Sequence, residues 1–280
     1  MRGIATSRFL DEMARSSAQR AASAARLEPI GELERRARSR PPAPRLRLST
    51  QGFDVIAEIK LRSPAAGVLR RSSDDWLSRA ASYARAGAAA VSVLTEPSRF
   101  DGSLAHLGLA AAQLAPLGVP AMRKDFLVDP YQILEARAEG AGGVLVILRM
   151  LPRSQIVELL DVAAEHHLFV LLEAFDRADL ELAAELLGQR AGRAEVILIG
   201  VNSRDLQTLE VVPERFAALA PLLPRAWPAV AESGVSGAGE AAAMRALGYR
   251  LALIGTALMV HDDPAALLAN IFAATRTVSS

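Results

Sequence analysis

Of the 32 lysine and arginine residues in this chain, only Lys60 and Lys124 are lysines; the rest are arginine. A guanidinium stays charged at every physiological pH, whereas an amine of tunable pKa can hand a proton to a reacting atom. The two positions that keep lysine are therefore candidates for proton donation. Glu58 stands two residues before Lys60 in Val-Ile-Ala-Glu-Ile-Lys. On a strand the two would share a face. Burial of unpaired charge costs several kcal/mol, so the pair either forms a structural ion bridge or points into a cavity mouth. Glu173, inside Val-Leu-Leu-Glu-Ala, is a carboxylate in apolar surroundings, where pKa values rise toward the range useful for acid–base work. Lys124 lies in Arg-Lys-Asp-Phe and, taken alone, also fits a surface position.

The elements that must carry these residues follow from the hydrophobic pattern. Short apolar, β-branched runs predict strands at Val55–Lys60, Ala90–Thr95, Pro120–Phe126, Gly143–Leu148, Leu168–Ala174, Val196–Asn202, Ala229–Gly234 and Leu251–Thr256. The runs are nearly continuous, as in parallel sheets covered on both faces. Amphipathic stretches between them predict helices at Trp76–Ala86, Ser103–Leu114, Tyr131–Gly140, Pro152–His166, Arg177–Gln189, Pro213–Leu223, Ala238–Leu247 and Ala265–Thr275. Asp129-Pro130 and Ser236 with Glu240 read as helix caps, and Pro152, Pro213 and Pro264 as first-turn residues. Eight βα units predict an α/β fold, a (β/α)8 TIM barrel over residues 49–280. Residues 1–48 predict an N-terminal helical extension, with Phe9, Leu10 and Met13 on one stripe, followed by an extended Pro-rich linker at 41–48. A doubly wound open sheet is the other arrangement for such a pattern, but no G-x-G-x-x-G follows the first strand.

Barrel function lies at the C-terminal strand ends. Here those ends hold Glu58, Lys60, Lys124, Glu173, Asn202, Arg204, Glu232, Ser233 and Thr256. Two lysines placed at random would both fall among roughly 24 such positions about once in 140 trials. Ser233-Gly234 and Gly255-Thr256 place small residues and backbone N–H groups after the seventh and eighth strands, where barrels bind phosphate.

Composition narrows the classes. The chain has 280 residues, no cysteine and a net charge of +1. This excludes disulfides and thiolate chemistry and argues against a nucleic-acid partner. No apolar run reaches membrane-spanning length, so no membrane partner is expected and the location expected is cytoplasmic. Residues 1–50 carry 11 Arg against 5 acidic residues, leaving 21 bases and 26 acids elsewhere. Such a basic N-terminus fits either a transit peptide or a helical cover, and the interspersed acids favour the cover. The four histidines have no ligand-like spacing, and no metal site is expected.

Taken together, the strand-end motifs resemble the indole-3-glycerol phosphate synthase family over about Phe9 to Asn270. They are Ile56-Ala57-Glu58-Ile59-Lys60 with Arg62-Ser63-Pro64 and Gly67, Ser92-Val93-Leu94-Thr95-Glu96 with Phe100 and Gly102-Ser103, and Arg123-Lys124-Asp125-Phe126. Leu172-Glu173, Gly200 to Leu206, Ala231-Glu232-Ser233-Gly234 and Ile254 to Met259 complete the series. The resemblance implies ring closure of 1-(2-carboxyphenylamino)-1-deoxyribulose 5-phosphate to an indole with loss of CO2 and water, without cofactor. It implies Lys124 as general acid and Lys60 as partner for the substrate's anionic groups, a second proton-donor role being left open. Glu173 would serve dehydration, while Glu58, Asn202 and Glu232 would position groups. Arg204 would lie near the carboxylate, and Ser233, Gly234, Gly255 and Thr256 would cradle phosphate with Ser63 nearby. Phe100, Phe126, Leu145 and Leu206 would wall the aromatic ring. The expected partner is this phosphorylated small molecule, with the chain a monomer or weak oligomer.

The sequence departs from the family pattern at Leu61, at Ala65-Ala66, at Ser73-Asp74 and at Thr256. A relative acting on a substituted anthranilate stays open at this level, as do another sugar-phosphate barrel enzyme, such as a Schiff-base aldolase using either lysine, and a barrel that binds without reacting. The isomerase of the preceding step, similar in fold, is disfavoured because it relies on a cysteine and this chain has none.

Overall fold

The computed structural model describes residues 8–50, 52–69, 75–206 and 208–276. Its centre is a closed barrel of parallel strands. The strands are β1 Asp54–Ile59, β2 Ala90–Leu94, β3 Ala121–Lys124, β4 Gly143–Ile147, β5 Phe169–Ala174, β6 Ile197–Asn202, β7 Ala229–Glu232 and β8 Leu251–Ile254. Each predicted strand is present, with each end within two residues of the position expected. Nearly every strand position is buried, which is why the runs read as continuously apolar. Their period-2 alternation separates two cores. Ile56, Met122, Leu145, Leu171, Leu198, Val230 and Leu253 fill the barrel. Val55, Val91, Val144, Val170, Ile199 and Ile254 face the surrounding helices.

Those helices are α3 Trp76–Arg85, α5 Leu104–Leu114, α6 Pro130–Ala138, α7 Arg153–Glu165, α8 Arg177–Gln189, α9 Glu214–Leu219, α10 Ala238–Ala246 and α12 Pro264–Thr275. Two short helices were not anticipated: α4 Pro97–Phe100 and α11 Thr256–Val260. Asp129 caps α6 in a full capping box with Gln132, and Pro264 occupies the first turn of α12. Three expectations are corrected. Gly237, not Ser236, is the cap residue of α10, and Pro152 and Pro213 precede the first turns of α7 and α9 as cap residues.

The N-terminal segment forms α1 Arg8–Leu27 and α2 Ile30–Ser39. Leu10 and Met13 join the inner core, while Leu33 and Ala37 pack on Tyr131, Leu134 and Ala138 of α6. Burying a leucine contributes roughly 1.5–3 kcal/mol. The basic extension also meets acids of the barrel: Arg20 with Asp125, Arg36 with Glu139 and Arg38 with Glu165. Residues 41–48 run without helix or strand, and Leu46 and Leu48 pack against the inner core. Beyond β1, Arg62–Ser63 pairs antiparallel with Gly67–Val68 in a small hairpin at the mouth. The departure at Ser73-Asp74 lies outside the described residues.

Candidate active site

Side chains at alternate positions of a strand share a face, so β1 sends Ile56 and Glu58 inward, β3 sends Met122 and Lys124, and β5 sends Leu171 and Glu173. The apolar members close the barrel floor. The polar members surface in one cavity of about 520 Å³ at the C-terminal strand ends.

Every site residue expected from the sequence lines this cavity. Glu58, Lys60, Lys124, Glu173, Asn202 and Glu232 form its polar base. Ser63, Phe100, Phe126, Leu145, Arg204, Leu206, Ser233, Gly234, Gly255 and Thr256 form its walls and rim. The lining also includes Phe9, Leu10, Ile147 and Phe175, which sequence reasoning did not assign to the site. Their only signal was an apolar side chain on an inward or helix-stripe position, which reads equally as core.

Lys60 Nζ lies 2.8 Å from Glu58 Oε1, so the structural ion bridge and the cavity position are both realised. Lys124 Nζ lies 3.8 Å from Glu173 Oε1 and 3.6 Å from Glu232 Oε2. These are ionic contacts beyond hydrogen-bond length, and neither Glu232 oxygen has a hydrogen-bond partner among the described residues. Burial alone would lower the Lys124 pKa; Glu173, Glu232 and Glu58 outweigh it and raise it, so the amine is protonated at neutral pH. Burial alone would raise the Glu58 pKa; Lys60 and Lys124 outweigh it and hold it below the usual carboxylate range. Glu232 is a carboxyl lifted by its surroundings. Desolvation first, then the neighbouring Glu173, push it well above the ordinary value.

Two glycines make this crowding feasible. A side chain on Gly200 of β6 would run into the Glu232 carboxylate, and one on Gly255 would run into that of Glu58. Asn202 organises the next turn of the mouth: Nδ2 donates to Glu173 Oε1 at 2.7 Å, while Oδ1 accepts from Ser233 Oγ and from the Arg204 amide, each at 2.9 Å. Burial lowers the Arg204 pKa, with Glu58 offsetting part of the effect.

The rim after β7 turns through Ser233 and Gly234, both with positive φ, 66° and 79°. Successive backbone N–H groups in a turn can hold an anion. After β8 the strand stops at Ile254, so Thr256 is the first residue of α11 rather than a strand end. Its first-turn N–H groups have no partner within the helix itself and add to the same rim. Opposite lies an aromatic wall, with Phe9 edge-on to Phe126 at 5.8 Å and Phe100 at 6.2 Å from Phe126. The cavity thus joins an apolar slot, a protonated amine among carboxylates, and a rim of small residues next to the first turn of a helix.

Among the described residues, Glu34, Glu165 and His166 bring ligand atoms within 4.8 Å of one another. The Arg38 guanidinium bridges the two carboxylates and offsets one of their two negative charges.

Comparison with known proteins agrees with this geometry. The barrel is similar to 3-hexulose-6-phosphate synthase from Salmonella typhimurium, with a TM-score of 0.59 at 11% identity, covering 79% of this chain and 98% of that one. A likeness at such identity concerns the fold alone. Among curated proteins, the chain is 42% identical over 220 residues to the indole-3-glycerol phosphate synthase of Parafrankia sp. (strain EAN1pec), covering 79% of this chain and 78% of that one. It is 43% identical over 225 residues to that of a Nocardioides species, covering 80% and 81%. The indole-3-glycerol phosphate synthase family model matches residues 10–271. The chain belongs to the indole-3-glycerol phosphate synthase family.

Proposed function

We propose that this enzyme closes 1-(2-carboxyphenylamino)-1-deoxyribulose 5-phosphate to indole-3-glycerol phosphate, releasing CO2 and water, in tryptophan biosynthesis. One observation carries the reading: the Lys124 amine, kept protonated by Glu173, Glu232 and Glu58, sits in a cavity with an aromatic wall and a rim of small residues.

The substrate's phosphate would rest on the turns at Ser233-Gly234 and Gly255-Thr256, with Ser63 alongside. Its aromatic ring would lie among Phe100, Phe126, Leu145 and Leu206, extended by Phe9 and Phe175. Lys60 and Arg204 supply positive charge for the ring carboxylate. Attack of the ring carbon on the ribulose carbonyl develops negative charge on oxygen, and Lys124 delivers a proton there. Decarboxylation then restores the electron pair to the ring, so the carbon chemistry needs no separate electron sink. Glu173, oriented by Asn202, exchanges protons as water leaves. Glu58 holds Lys60, and Glu232 sets the far side of the Lys124 amine.

We further place the enzyme in the cytoplasm as a monomer or weak oligomer with an N-terminal extension over 1–48 and a catalytic barrel over 49–280. In support, no helix among the described residues is long and apolar enough to cross a membrane. Incubation with the substrate while following indole emission tests the activity. Borohydride added during turnover separates the readings: a Schiff-base aldolase is trapped as a covalent adduct, and the synthase is not.

A further inference from the structure

Arg215 of α9 lines no part of the cavity, yet its guanidinium reaches beneath the cavity rim. Arg215 Nη1 donates to the carbonyl oxygens of Asn202 at 2.8 Å and Arg204 at 3.2 Å. Its nearest carboxylate, Asp205, is 4.0 Å away. The side chain is only 19% exposed. Burial lowers its pKa, so holding the cation here is unfavourable except for what it bonds.

Those two carbonyls belong to residues whose side chains point the other way, into the site. After β6 the chain leaves as an excursion closed by the Arg204–Val211 bridge and by the Val212 amide donating to Ser203 O at 2.9 Å. Ser203 in the middle is held by β7, its amide donating to Glu232 O at 2.9 Å. Asn202 and Arg204 flank that anchor, and the sheet leaves their outward carbonyls to Arg215. Fixing both carbonyls fixes the Asn202–Ser203 and Arg204–Asp205 peptide planes, which flank the Ser203–Arg204 peptide. From these planes Asn202 reaches Glu173 and Ser233, and Arg204 enters the cavity.

We propose that Arg215 is a positioning residue of this enzyme, acting through the backbone of Asn202 and Arg204. The inference rests on the ring-closure reading for its kinetic consequences but not for its structural ones. Replacing Arg215 by Met removes both donors while retaining an apolar stem. In R215M, kcat/KM falls about tenfold, with kcat reduced through Asn202 and KM raised through Arg204. R215K keeps a donor on a shorter stem and recovers part of the loss. In an N202A background, R215M lowers kcat no further, because the side chain it positions is gone, while the KM effect persists.

Hydrogen exchange provides a readout independent of turnover. The Arg204 amide is bonded to Asn202 Oδ1, so its protection falls at least about tenfold in R215M while that of Ile199 and Val201 in β6 is unchanged. Should R215M not fold, R215K carries the test with smaller changes of the same sign. Wild-type kinetics and wild-type Arg204 exchange, with only the melting temperature lowered, would overturn the proposal. Absence of indole formation by the wild-type enzyme would count against the reaction, and the exchange result would still decide the role of Arg215.

Discussion

Glu232 folds its carboxylate into the space that Gly200, on the adjacent strand, leaves open by having no side chain. The two elements are in register through Gly200 with Val230 and Asn202 with Glu232, so this vacancy lies just below the reacting groups. Any side chain at 200 must expel the carboxylate or spread the strands.

Gly200→Ala is therefore expected to lower kcat by at least about tenfold and to destabilise the fold by roughly 1–3 kcal/mol, the range for overpacking a filled core. Steady-state kinetics and a denaturant melt on the same preparation check both. Wild-type behaviour would mean that the Glu232 carboxylate does not occupy this space.

A second prediction concerns acid. Asp125, buried beside Lys124, accepts two bonds from Arg20 at 2.9 and 2.7 Å and one from Thr95 Oγ1 at 2.8 Å. Burial alone would raise its pKa, but Arg20, Arg123 and Thr95 outweigh it and bring it down to about 2. A folded-state value below the unfolded one contributes stability that is complete above the unfolded value, near 4, and is lost as pH falls through about 2. The contribution amounts to roughly 2 kcal/mol. Asp125→Asn should be less stable at neutral pH by at least this much, with a flatter dependence between pH 4 and 2. Parallel pH profiles for the two proteins would contradict the assignment.

The N-terminal helices supply a third. Phe9 and Leu10 line the cavity, Arg20 holds Asp125, and Arg99 of α4 meets Glu12 of α1 at 2.7 Å. Deleting residues 1–40 should raise KM, lower the melting temperature, or both. Unchanged KM and melting temperature would show that the extension neither completes the wall nor braces β3.

Much of this was legible beforehand because the barrel writes two patterns at once. Strands covered on both faces read as continuous apolar runs, and a charged residue inside such a run, as Glu58 or Glu173, must emerge at an end or be paired. Both lysines do converge on one cavity. Boundaries were harder where one apolar run serves two elements. From Leu251 to Val260 the residues suit a strand and then a helix, with only Gly255-Thr256 marking the change. Phe175 and Ile147 remained hidden because an inward apolar residue at a strand end looks like core until the cavity above it is seen. Arg215 was invisible for another reason: its partners are main-chain carbonyls, which carry no signature in side-chain types.

Lys124 is the proton donor on which ring closure depends most, and Lys124→Arg tests this role directly. Arginine preserves the positive charge between Glu173 and Glu232 but does not release a proton at neutral pH. Indole formation should fall by roughly a hundredfold or more, the scale of general acid catalysis, while calorimetric affinity for the substrate stays within about tenfold of wild type. A kcat near the wild-type value in this variant would contradict the claim.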